Sequence, residues 1–144
     1  MKQAVAGTTP AAPYSPGIVA SGRTLHVSGQ GPLRDGQVVP GTIEQETQLT
    51  LENVAAVLAD AGATPADVVR VGVYLQDLSD FAAMNAVYEA FFRRFDAPLP
   101  ARTTIGAGLL GIKVEIDCVA VLDDAGVEAG GATGGAGGGA GGEG

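Results

Sequence analysis

The chain has one cysteine and one histidine, and each scarcity removes a class of site. With Cys118 alone, no intrachain disulfide can form. His26 has no Cys or carboxylate neighbours at ligand spacing, so no metal site is expected. Positive charge is scarce as well: 8 Lys and Arg stand against 16 Asp and Glu, a formal net charge of -8 at pH 7. So acidic a chain lacks the basic footprint that holds a phosphate backbone or an anionic bilayer, and neither nucleic acid nor membrane is expected as a partner. No apolar run approaches the roughly 20 residues of a membrane span, and the N-terminus lacks the basic and apolar regions of a signal peptide. The expected compartment is the cytoplasm.

Glycine is abundant, 23 of 144 residues, and unevenly placed. Residues 126–144 are mostly Gly and Ala, with almost nothing to bury, and read as a disordered tail; residues 1–125 match one domain with one core.

Along that domain, Met1 to Val5 can add a short edge strand, and prolines 10, 13 and 16 make an extended loop that carries Tyr14. Ile18 to Ala20, a turn at Ser21-Gly22 and Thr24 to Ser28 read as a hairpin with Leu25 and Val27 facing the core and His26 facing away. Asp35-Gly36 is a turn signal. Thr42 with Gln45 forms a capping box for an amphipathic helix carrying Ile43, Thr47, Leu51, Val54 and Leu58, stopped by Gly62. Thr64-Pro-Ala-Asp67 is one capped turn, and Val68 to Leu75 is a β-branched strand. Ser79 is the expected cap of a second helix, with Phe81, Met84, Tyr88, Phe91 and Phe95 as a core stripe.

The most informative stretch runs from Pro98 to Val121: a strand through Arg102 and Thr104, a Gly-rich bend, and a strand in which Val114, Ile116, Cys118 and Ala120 alternate with Lys113, Glu115 and Asp117. Cys118 falls on the apolar side, as a small core residue. An antiparallel hairpin centred on Gly108-Leu109 would put Arg102 opposite Glu115 on one face. The structural reading of that pair is a cross-strand salt bridge; the functional reading is a guanidinium and a carboxylate serving one site. The element order implies an α+β sandwich, one mixed sheet with two helices on one face. Val68, Tyr74, Val119 and Val121 would lie on the other face with Arg102 and Glu115. A side so apolar is expected to pack against another chain, with a site at the subunit boundary.

Several segments together resemble the Rid (YjgF) family of reactive-intermediate deaminases: Ala12-Pro-Tyr-Ser15, Leu25-His-Val-Ser-Gly-Gln30, Thr47-Gln-Leu-Thr-Leu-Glu-Asn53, Phe81-Ala-Ala-Met-Asn-Ala-Val-Tyr88, Pro100-Ala-Arg102 and Val114-Glu-Ile116. The resemblance runs in order from about Pro13 to Val121. It implies a chorismate-mutase-like fold, a homotrimer with clefts between subunits, and hydrolysis of 2-imino acids and their enamine tautomers, such as 2-aminoacrylate, to 2-oxo acids and ammonia without a cofactor. By position it implies Arg102 as the carboxylate-binding arginine, Glu115 as the residue that activates water, and Tyr14 and Gly29 as cleft residues. Thr104 stands where the family commonly has a cysteine, so a hydroxyl rather than a thiol shapes the cleft there. The bend from Gly106 to Ile112 is shorter than in many relatives, and Pro16 replaces the usual Gln; both changes touch the rim. The alternative is a non-hydrolytic binding or regulatory protein holding a small carboxylic acid between subunits. An endoribonuclease role is disfavoured by the acidic balance.

Overall fold

The computed structural model describes residues 1–123, and the tail expected over 126–144 lies outside them. In chain order the elements are β1 (Lys2–Val5), β2 (Gly17–Ala20), β3 (Arg23–Gln30), β4 (Leu33–Arg34), β5 (Gln37–Val38), α1 (Ile43–Asp60), β6 (Val68–Leu75), α2 (Phe81–Arg93), β7 (Ala101–Gly106) and β8 (Val114–Leu122). A four-stranded sheet in the order β3-β8-β6-β7 forms the body. It is mixed: β8 runs antiparallel to both β3 and β6, while β7 is parallel to β6.

The helix ends follow local chemistry. Thr42 accepts the Gln45 N–H at 3.1 Å, and the Gln45 side chain accepts the Thr42 N–H at 2.9 Å, the reciprocal box expected. Gly62, at φ 81°, lets the chain turn back so that the N–H groups of Gly62 and Ala63 close on the carbonyls of Ala59 and Leu58. Asp35 and Gly36, at φ 53° and 79°, form the tight turn between β4 and β5. Ser79 does not cap α2: the Asp77 carboxylate takes both the Ser79 N–H and its hydroxyl, capping a 3-10 turn from which α2 emerges without a side-chain cap.

Both helices cover one face. Leu51, Val54 and Leu58 from α1 and Met84, Tyr88, Phe91 and Phe92 from α2 pack on Val71, Val73 and Leu75 of β6 and on Val114, Ile116, Cys118 and Ala120 of β8. Each fully buried aliphatic side chain in this layer contributes about 1.5–3 kcal/mol.

Three further sequence expectations are corrected. β2 does not pair with β3; it pairs with β1, and β3 pairs with β8. β7 and β8 form no hairpin, because α2 is a crossover that returns β7 parallel to β6, and β6 then lies between β7 and β8. The Gly106 to Ile112 bend therefore arches over the end of β6, held there by the Ala107 N–H on the Leu75 carbonyl at 2.9 Å and the Leu109 N–H on Gln76 Oε1 at 2.6 Å. Val68 belongs to the core rather than the open face, since the register irregularity between Val68 and Arg70 moves it to the helix side opposite Ala120.

Candidate active site

Arg102 lies on β7, the edge strand, with the core residue Val71 as its register partner. Paired residues point to the same face, so Arg102 projects to the helix side and not, as expected, to the open face. Its guanidinium carbon sits 4.8 Å from the Tyr88 ring centroid, 5.7 Å from that of Phe81 and 5.9 Å from that of Tyr14. Ring faces at such distances attract a cation but accept no strong hydrogen bond. Nε and Nη1 are buried and have no partner among the described residues. Burial draws the Arg102 pKa below its usual value, offset in part by Tyr88 and Tyr14. Phe81, meant for the core stripe, is 38% exposed and forms part of this wall instead.

Tyr14 reaches Arg102 across a long sequence separation because its loop is tied to the segment before β7. The Ser15 N–H donates to the Pro100 carbonyl at 3.1 Å and the Ser15 hydroxyl to that of Leu99 at 2.5 Å. Thr104, whose register partner is Val73, shares the Arg102 face, and its hydroxyl is buried with no partner among the described residues. Tyr14, Arg102 and Thr104 thus form one group.

Glu115 and Gly29 form another, on the open face. Glu115 lies opposite Tyr74 of β6, and its Oε2 occupies the place where a Cβ of residue 29 would stand. Any side chain at position 29 would displace the carboxylate, which is the physical reason for glycine there. The Arg102–Glu115 salt bridge is not formed: the ion pairs among the described residues join Met1 to Asp123, Arg93 to Glu89 and Lys113 to Glu46. One chain therefore holds the two halves of the expected site on opposite faces of its sheet.

The remaining candidates take structural places. Cys118 is buried, and burial with Asp117 beside it pushes its thiol up to about 12, far from a nucleophile's range. His26 lies opposite Val119 on the open face. Among the described residues no three His, Cys, Asp or Glu side chains group as metal ligands would, and no helix is long and apolar enough to cross a membrane. Sequence reasoning missed Glu46, which is 3% exposed. Its carboxylate accepts the Lys113 N–H at 2.8 Å and the Gly41 N–H at 3.2 Å. It sits among the polar positions of an amphipathic helix, where nothing in the spacing marks it as buried.

A mixed sheet backed by two helices, with an arginine on the edge strand and a carboxylate on the uncovered face, defines a chorismate-mutase-like α+β domain of the Rid type. A structure of a Rid-family protein of unknown function, YyfB from Yersinia pestis, superposes with a TM-score of 0.74 at 33% identity, covering 84% of this chain and 98% of that one. The family model described as Endoribonuclease L-PSP matches residues 4–122, and the chain belongs to this family, the Rid (YjgF) family. It is 45% identical over 113 residues to the protein mmf2, mitochondrial, of Schizosaccharomyces pombe, covering 75% of this chain and 86% of that protein. It is 37% identical over 113 residues to the 2-iminobutanoate/2-iminopropanoate deaminase of Escherichia coli K12, covering 76% of this chain and 87% of that protein.

Proposed function

We propose that the protein hydrolyses 2-imino acids and their enamine tautomers to 2-oxo acids and ammonia, without a cofactor, in clefts between the subunits of a homotrimer. The observation that carries this reading is Arg102: a half-buried guanidinium with unpartnered Nε and Nη1 and aromatic rings around it. A carboxylate is the complementary ligand, since it accepts two parallel hydrogen bonds from one planar fork and so fixes the substrate's orientation. The name of the Escherichia coli relative supports the reaction class.

The chemistry needs a second group. Water adds to the imine carbon, its oxygen forming the new C–O bond while a proton passes to nitrogen; loss of ammonia from the tetrahedral adduct then leaves the 2-oxo acid. A carboxyl group within hydrogen-bond reach of that water relays the protons, and Glu115 is the residue assigned to it. Because Arg102 lies on an edge strand and Glu115 on the uncovered face, a second copy packed with its open face across that edge brings the two together. The Thr104 hydroxyl and the Tyr14 ring line the same cleft.

The test is a coupled assay in which several amino-acid-derived imines are generated in situ and ammonia is followed. Release well above the uncatalysed rate is expected. No acceleration with any imine, together with binding of an unreactive 2-oxo acid, would replace this reading by the non-hydrolytic binding one.

A further inference from the structure

On the open face, Glu115 and Asp117 stand two residues apart on β8 and lean in opposite directions. Glu115 leans across β3, where the missing side chain of Gly29 leaves room for its carboxylate. Asp117 leans across β6 towards Gly72, its register partner. A Cβ at position 72 would stand 2.5 Å from Asp117 Oδ1 and 2.8 Å from the Tyr74 hydroxyl oxygen. That space holds the phenol. Tyr74 is the register partner of Glu115, yet its ring folds back over Gly72 and its hydroxyl donates to Asp117 Oδ2 at 2.9 Å. The hydrogen bond is also the main reason that the Tyr74 pKa is raised, which keeps the phenol a donor. Among the described residues Glu115 makes no side-chain hydrogen bond of its own, and Arg70, on the same face, turns its Nη1 to the Val71 carbonyl at 2.9 Å.

We infer that Tyr74 and Asp117 are a positioning pair for hydrolysis: Asp117 draws away the phenol that would otherwise donate to Glu115, leaving that carboxylate free to accept from water. The inference rests on the reading of Glu115 as the group that activates water. A phenol donating to Glu115 would occupy a lone pair and stabilise its ionised form, both of which weaken a proton acceptor. Gly72 makes the arrangement possible, since any larger residue there would push the phenol and Asp117 apart.

The experiment is a set of variants assayed for ammonia release, with Asp117→Ala as the first. Removing the acceptor frees the phenol for Glu115, and kcat should fall by about 10- to 100-fold, the span of one charge-assisted hydrogen bond, with a smaller change in KM. Adding Tyr74→Phe to Asp117→Ala removes the misdirected donor and should restore most of the loss. Asp117→Asn keeps an acceptor oxygen and should lose less than Asp117→Ala. A purely structural role for the pair predicts no such rescue, so an unchanged kcat in Asp117→Ala, or a loss that Tyr74→Phe does not repair, overturns the inference. Should Asp117→Ala fail to fold, Gly72→Ala breaks the same contact with both partners present, and the same rescue is expected. A crystal structure of the Asp117→Ala protein, or of Gly72→Ala in its place, supplies a readout that needs no turnover. The Tyr74 hydroxyl should be found at hydrogen-bond distance from Glu115, and a ring still lying back over β6 away from Glu115 refutes the pair. That readout stands even if the wild-type protein releases no ammonia, in which case the pair's role in hydrolysis fails with the proposed function and only its placement of the phenol is retained.

Discussion

A guanidinium pressed against Tyr88, Phe81 and Tyr14 regains from the ring faces about 0.5–2 kcal/mol of what it loses on leaving water, and its buried donors remain open. On the proposed function, a substrate carboxylate would fill that deficit. Arg102→Lys keeps the charge but loses the planar fork, and Arg102→Ala also loses a charge-assisted contact of about 1.5–3 kcal/mol; affinity for an unreactive 2-oxo acid should fall in that order. Glu115→Gln is expected to leave this affinity nearly intact while slowing ammonia release by about 10²–10⁴. Near-normal turnover in all three proteins would remove both residues from the mechanism. Gly29→Ala tests the same carboxylate from the neighbouring strand. Its Cβ would stand where Glu115 Oε2 now lies and 2.9 Å from Glu115 Cδ. The backbone of Gly29 has no positive φ, so the cost falls on Glu115 rather than on the fold. Turnover should drop towards that of Glu115→Gln with little change in Tm, and a fully active Gly29→Ala protein would show that Glu115 needs no such placement.

Two side chains tie elements together and carry their own predictions. Glu46 fastens the start of α1 to the start of β8 by accepting the Gly41 and Lys113 N–H groups, with the Lys113 ammonium 3.5 Å away. Glu46→Ala strands those donors and should lower stability by about 1–3 kcal/mol in denaturant titration, whereas Glu46→Gln keeps an acceptor and should cost less. Equal Tm values for wild type and Glu46→Ala would show the tie to be dispensable. Lys2 fastens β1 to the start of β6, its Nζ donating to the Val68 carbonyl at 2.6 Å. Burial lowers its pKa from 10.5 to about 8, against the opposing pull of Asp67. Between those two values the unfolded chain binds the proton and the folded chain does not, so the contribution of Lys2 to stability rises with pH through that window. Lys2→Met should flatten that part of a Tm-against-pH curve. A wild-type profile that falls there just as steeply as the variant's would contradict the assignment.

At the scale of the whole molecule, the helices leave one sheet face uncovered, carrying Tyr74 and Val119 beside Glu115 and Asp117, while Val121, expected there too, is buried. Sedimentation or light scattering at micromolar concentration should report a trimer, and a monomer would leave Arg102 and Glu115 without a common ligand. Much of the domain was legible beforehand. β-branched content assigned β6, and period-2 alternation assigned β8 and its core side; the spacing of Ile43, Leu51, Val54 and Leu58 assigned α1; Thr42, Gln45 and Gly62 marked its ends. These are local choices, made within a few residues by backbone preference and capping. Strand partners are not local. Alternation says which residues share a face of their own strand but carries no information about which strand lies alongside. The parallel return of β7 beside β6, set by packing α2 onto the core, therefore put Arg102 on the helix side. The irregularity between Val68 and Arg70 likewise changed the face of Val68. The residue types at Tyr14, Gly29, Arg102, Thr104 and Glu115 were written in the sequence. Their separation onto opposite faces of the sheet, and the Tyr74 hydroxyl bonded to Asp117, were decided by tertiary structure, because both depend on contacts between strands far apart in the chain.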